Sequence, residues 1–213
     1  MLPSSAWPTS TTSWTFASWV RLNADRDTCS SFFTIEQPAG HSVEYNELIT
    51  GADGTTLGLW DHRDQQAVTL GTMTIGTWYF AAISVGANGA ATTWFGPMGG
   101  TLTRRTGTVA VVDHTEMSYL GASNFAATEF IDGSMALARL WNGGLSDAEV
   151  NAEFGSTSPV RTTGLLGDWR LSAASTVTAD SSGLSHPLTK NFGSTHTTVT
   201  GPMISTGAFT CSP

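Results

Sequence analysis

Two dipeptides, Asp53-Gly54 and Asn88-Gly89, constrain the fold more than any other feature of the 213 residues. The first lies between "NELIT" and "TTLGLW", the second between "WYFAAISVG" and "AATTWFG". Each joins two runs of alternating apolar residues, the strongest local signal of a β-hairpin, and type I′ turns are expected at both. Further strands are expected at 13–22, 30–36, 67–73, 107–112, 117–122, 135–142 and 165–172. Strands recurring at this spacing, without helices between them, form an antiparallel sandwich or jelly roll. No internal repeat is visible, which argues against a propeller or solenoid. No linker divides the chain, so residues 1–213 read as a single domain.

Composition limits the function. Charged residues are 12 % of the chain, about half the usual quarter, while 8 Trp and 10 Phe supply a large apolar core. A net charge of −8 leaves no basic footprint for nucleic acid. The adjacent pair Arg104–Arg105 reads as an exposed turn. No apolar run approaches the ~18 residues of a membrane span. The opening "MLPSSAWPTSTTSW" lacks the basic and apolar regions of a secretion signal. Two cysteines, Cys29 and Cys211, leave two readings open: a bridge closing a long loop, or two buried thiols.

One stretch departs from pure β. In "GSMALARLWNGGLSDAEVNAEFG" (133–155) a strand is followed by a helix cassette. Strict alternation would send Met135, Leu137, Arg139 and Trp141 to one face and Ala136, Ala138 and Leu140 to the other. Ser146 and Glu149 form a capping box, Leu145 and Val150 a hydrophobic staple, and Gly155 a stop. A short helix at about 147–154 is therefore expected, with Val150 and Phe154 packing on a sheet edge.

These stretches, with "WTFASWVRL", "GTWYFAAISVGANGAATTWFGP" and "YLGAS", resemble the laminin-G-like, concanavalin-A-like lectin and glucanase jelly rolls. The likeness runs over about residues 13–185. A piece that such proteins carry near their N-terminus, "GLLGDWRLSAASTVTADSSG", follows the helix here. It is expected to complete the sandwich from the C-terminal side. In the family's last strand an acid often follows Gly-x-Ile. Here Ala136 stands at that place, and only Asp132 is a nearby substitute. The resemblance implies carbohydrate binding for many relatives and puts Trp19 and Trp78 in structural positions.

Sites need separate arguments. The acid pairs Glu44/Glu47, Asp61/Asp64 and Glu129/Asp132 are each three apart, which in a strand sends the partners to opposite faces; no catalytic dyad is expected from them. The five histidines are scattered without metal-ligand spacing. Asn23, Asp25 and Asp27 place oxygen ligands at alternate positions of a loop, a set suited to calcium; no other cofactor is called for. Trp60 borders a polar run of Asp61, His62, Arg63 and Asp64, the chemistry that stacks on a sugar ring and hydrogen-bonds its hydroxyls. Trp94 is a second candidate for that role.

The expectation is thus an all-β, two-sheet antiparallel jelly roll with one short edge helix and no catalytic group. An extracellular composition without an export signal points to a phage particle, with the chain as a capsid decoration or tail-associated protein. Its partners would be other virion proteins or further copies of itself, together with cell-surface glycans. A secreted carbohydrate-binding module is the alternative, and a glycoside hydrolase or lyase on the same fold is the third.

Overall fold

The computed structural model describes residues 7, 13–25, 29–36, 45–64, 66–111, 117–122, 130–172, 178–189 and 201–202. Its strands are β1 (Trp14–Leu22), β2 (Ser31–Glu36), β3 (Tyr45–Thr50), β4 (Thr56–Asp61), β5 (Gln66–Thr72) and β6 (Tyr79–Val85). They continue with β7 (Ala90–Pro97), β8 (Thr103–Thr108), β9 (Met117–Leu120), β10 (Gly133–Asn142) and β11 (Leu165–Trp169). The helix α1 is Asp147–Phe154. Two sheets result, a six-stranded one in the order β11-β10-β1-β6-β7-β8 and a five-stranded one in the order β5-β4-β3-β2-β9. The segment after the helix closes the first of them, with β11 antiparallel to β10.

The sheets meet through one face of each. Phe16, Val20 and Leu22 of β1 pack against Phe33, Ile35, Leu48, Leu57 and Leu59 of the five-stranded sheet. Phe16 stacks on Phe33 with ring centroids 4.0 Å apart. Aromatic residues contribute twice, because the outer face of the six-stranded sheet is apolar as well. Trp19, Trp78, Phe80, Trp94 and Trp141 form a second cluster there, joined by Leu145 and Val150. The helix lies over this face. Its Phe154 stacks on Trp19 at 5.3 Å and meets Phe80 edge-on at 5.6 Å.

Local chemistry sets the turns and the helix ends. The Glu149 N–H donates to Ser146 Oγ at 3.3 Å, and the Ser146 N–H donates to Glu149 Oε2 at 2.7 Å. Gly155 does follow the last turn, but with φ −96° it is not a left-handed stop. Buried charge holds that end instead. Glu153 bonds Arg139 through Oε2 at 2.5 Å and accepts the Val160 N–H on Oε1 at 2.6 Å. Arg139 Nε donates to Asp168 Oδ1 at 3.1 Å, so β10, β11 and α1 converge on one guanidinium.

Five expectations are corrected. The two hairpin turns are not type I′, which needs positive φ at both central residues. Only Gly54 (φ 70°) and Gly89 (φ 78°) are left-handed, while Asp53 and Asn88 hydrogen-bond forward to backbone N–H groups. The strand expected at 107–112 is displaced to Thr103–Thr108, and Arg104–Arg105 lies inside it rather than in a turn. Pairing with β7 decides that, and an edge strand tolerates the polar "TRRTGT". The strand expected to reach residue 172 ends at Trp169. Alternation along β10 also breaks, because a bulge sits at Leu137, whose φ is 52°. Met135 therefore joins the inter-sheet side with Ala138 and Leu140, and Ala136 the outer side with Leu137 and Trp141.

Candidate functional site

The register of the five-stranded sheet sorts its side chains into two faces. Ser118, Ile35, Asn46 and Asp61 lie opposite one another in one row. Ile35 belongs to the core, so this row faces inward. Tyr119, Thr34, Glu47, Trp60 and Ala67 form the adjacent row, on the face away from the inter-sheet core; Tyr119, Thr34 and Glu47 are buried there, Trp60 is half-buried and Ala67 exposed.

This sorting divides the residues that the sequence grouped around Trp60. Asp61 is fully buried. Its Oδ1 accepts the Arg63 N–H at 2.9 Å, and its Oδ2 accepts the Ala110 N–H at 2.5 Å. It tightens the β4–β5 turn and ties down the chain after β8, so it does not face a ligand. Trp60 is half-buried on the outer face; His62 stands edge-on to it, ring centroids 5.9 Å apart at 78°. Arg63 and Asp64 are exposed at the turn.

Behind His62 lies a group outside the run that follows Trp60 in the sequence. Glu47 is fully buried, directly across the ladder from Trp60. Its Oε2 accepts from His62 Nε2 at 3.3 Å, and its Oε1 accepts from the Thr34 hydroxyl at 3.1 Å. That hydroxyl in turn lies 2.9 Å from Ser31 Oγ. A buried carboxylate with a hydroxyl and an imidazole on its two oxygens fixes the imidazole's tautomer and pose. The carboxylate itself is out of reach of a bound ligand. The arrangement can thus present a half-buried indole and two exposed charges to a polar partner.

Trp94 does not join this patch. It lies on β7 in the other sheet, only 3 % exposed, and its indole N–H donates to Asp147 of the helix at 2.9 Å. Arg104 holds the same carboxylate oxygen at 3.0 Å. Trp19 and Trp78 are likewise buried, and Arg21 lies over the Trp78 ring at 5.7 Å.

The calcium candidates are placed in part. Asn23 Oδ1 accepts from Arg21 at 3.1 Å, a cation where a metal would be expected, and its backbone N–H donates to the Asp132 carbonyl at 2.9 Å. Asp25 and Asp132 are both exposed. Asp27, Glu44, Glu129 and Cys211 lie outside the described residues, and Cys29 is half-buried. Among the described residues no three His, Cys, Asp or Glu side chains gather as a metal centre, and no helix is long and apolar enough to cross a membrane.

Comparison with solved structures finds the same fold in several settings. Tailspike protein 2 of an Escherichia coli O157:H7 bacteriophage superimposes with a TM-score of 0.58 at 18 % identity, over 80 % of this chain and 25 % of that one. The heptameric SAP-like pentraxin of Limulus polyphemus matches at 0.51 and 14 % identity, over 71 % of this chain and 73 % of that one. The NanB sialidase of Streptococcus pneumoniae matches at 0.50 and 16 % identity, over 67 % and 24 %. This chain thus spans about a quarter of the tailspike's length. A search of curated protein sequences finds no match. The family model of the concanavalin A-like lectins and glucanases, of laminin-G type, matches residues 1–151, and the chain belongs to that superfamily.

Proposed function

We propose that this chain is a non-catalytic jelly roll that binds glycan through the outer face of its five-stranded sheet. The observation that carries the reading is the half-buried Trp60 beside His62, with His62 held by the buried Glu47. An aromatic ring supplies apolar stacking, and the exposed Arg63 and Asp64 beside it supply polar contacts; sugar recognition combines the two. The burial of Glu47 supports a binding rather than a hydrolytic role, since a glycosidase carboxyl must reach the scissile bond.

The setting we infer is a virion surface, with the chain as a decoration or tail-associated component beside other virion proteins or copies of itself. Its fold likeness to a phage tailspike protein supports this. A secreted lectin-like module, outside any particle, is the second reading, which the likeness to a pentraxin keeps alongside. Calcium enters as a variable of the test, because Asn23 and Asp25 lie on one loop.

A glycan array probed with wild type and Trp60→Ala, in calcium and then in EDTA, tests the proposal. Specific binding that Trp60→Ala abolishes, with no new reducing ends released from the bound oligosaccharide, is the expected result. A folded wild type that binds nothing defeats the glycan reading, and released reducing ends defeat the non-catalytic one.

A further inference from the structure

The edges of the two sheets lie side by side where β5 faces β8, and a groove of about 320 Å³ runs between them. Ala67, Val68 and Thr69 form one wall, and Arg105, Thr106, Gly107 and Thr108 form the other. Val68 is buried and belongs to the inter-sheet core. A Cβ on Gly107 would stand 2.5 Å from Val68 Cγ2, so glycine there lets β8 approach β5 closely. The groove is a continuation of the Trp60 patch, because Ala67 is the direct cross-strand partner of Trp60 on the same outer face. Side chains so paired stand ~5 Å apart.

Arg105 is the one charged residue of the lining. Arg21, Arg104, Arg139, Arg161 and Arg170 each have a polar or acidic partner within the fold. The Arg105 side chain, like that of Arg63 at the β4–β5 turn, is exposed and makes no hydrogen bond or ion pair with a described residue. In a chain of net charge −8, a lone cation among threonine hydroxyls is an unusual place for an anion to be welcome. Its planar fork of donors suits a carboxylate or sulfate, and the hydroxyls suit the ring substituents beside it.

We infer that the glycan is anionic, and that it lies across Trp60 and Ala67 into the β5–β8 groove, where Arg105 takes its acidic group. This rests on the glycan reading of the Trp60 patch and adds the ligand's charge and direction. The test is an array of uronic-acid, sialylated, sulfated and neutral glycans, followed by calorimetry on the best binder and its carboxyl-reduced or desulfated counterpart. The proteins are wild type, Arg105→Gln and Trp60→Ala, each checked for an unchanged melting temperature.

Wild type is expected to prefer anionic glycans and to weaken as salt rises. Arg105→Gln should bind them about ten- to a hundredfold more weakly while binding the neutralised counterpart as wild type does. Unchanged binding by Arg105→Gln, or a preference for neutral glycans, overturns this inference and leaves the Trp60 reading standing. If Trp60→Ala binds as wild type while Arg105→Gln does not, the Trp60 reading falls and the groove alone is the site. Silence of wild type on every glycan overturns both.

Discussion

Arg139 shows how much a single buried residue can organise. With 2 % of its side chain exposed, it bonds Glu153 of the helix and Asp168 of β11, both fully shielded. Arg170, half-exposed, approaches the other Asp168 oxygen at 3.8 Å. Removing the guanidinium would strand two carboxylates in an apolar setting, a change that costs about 3–5 kcal/mol. Arg139→Ala should therefore lose that much stability in urea unfolding, and Arg139→Lys should recover only part of it, because an ammonium cannot bond both acids in the same plane. A loss below about 1 kcal/mol would mean that water reaches the three charges. None of this was legible from the sequence. Arg139 sits in an alternating strand between apolar neighbours, Asp168 is 29 positions away and Glu153 looks like one more solvated helix acid. By contrast, the pairing of Glu47 with His62 could have been found, since folding β3 back on β4 at the turn after residue 50 sets Glu47 opposite Trp60.

At the scale of elements, the helix is the best-predicted part of the molecule and its capping box the most direct test. Ser146 and Glu149 satisfy each other's backbone groups, and the Glu149 carboxyl is held below its ordinary range by the Ser146 N–H first and the Ser146 hydroxyl second, with Arg161 adding to them. Ser146→Ala should destabilise the protein by about 1 kcal/mol, a drop of roughly 2–4 °C in Tm for a chain of this size. An unchanged melt would show that the helix is held by Phe154, Val150 and Glu153 alone. Capping, turns and apolar alternation are local signals, which is why this helix and most strands could be read in advance. The polar edge strand β8 and the bulge at Leu137 could not, because each exists through its neighbours: β8 through pairing with β7, the bulge through a mismatch against β1. Hydrophobic count alone pushed β8 four residues too far along the chain.

For the whole molecule, the sandwich depends on its C-terminal side, and the clasp there runs through Asp180. Residues 178–189 lace onto β11. Asp180 accepts the Asp168 N–H at 3.0 Å, the Ser182 N–H at 2.9 Å and the His186 N–H at 2.9 Å. The Trp169 indole donates to the His186 carbonyl at 2.9 Å, so this clasp also pins a core tryptophan. Burial raises the Asp180 pKa, but the hydrogen bonds from Asp168, His186 and Ser182 together outweigh it and the carboxyl is held below the ordinary 3.8. Asp53, lowered by the Thr56 hydroxyl and then by backbone N–H groups, and Glu149 shift in the same direction. A carboxyl whose folded pKa is depressed binds its proton more readily when unfolded. Its contribution is fully present above the unfolded pKa and is lost as pH falls through the folded one. Stability should therefore be level down to the ordinary carboxyl values of 4.5 and 3.8 and decline below them. Asp180→Asn should lower stability at neutral pH and flatten the decline. Chemical unfolding of both proteins from pH 6 to 3, in steps of about half a unit, gives the two slopes. Equal slopes would place the acid sensitivity elsewhere and leave Asp180 a turn residue whose charge does nothing for the fold.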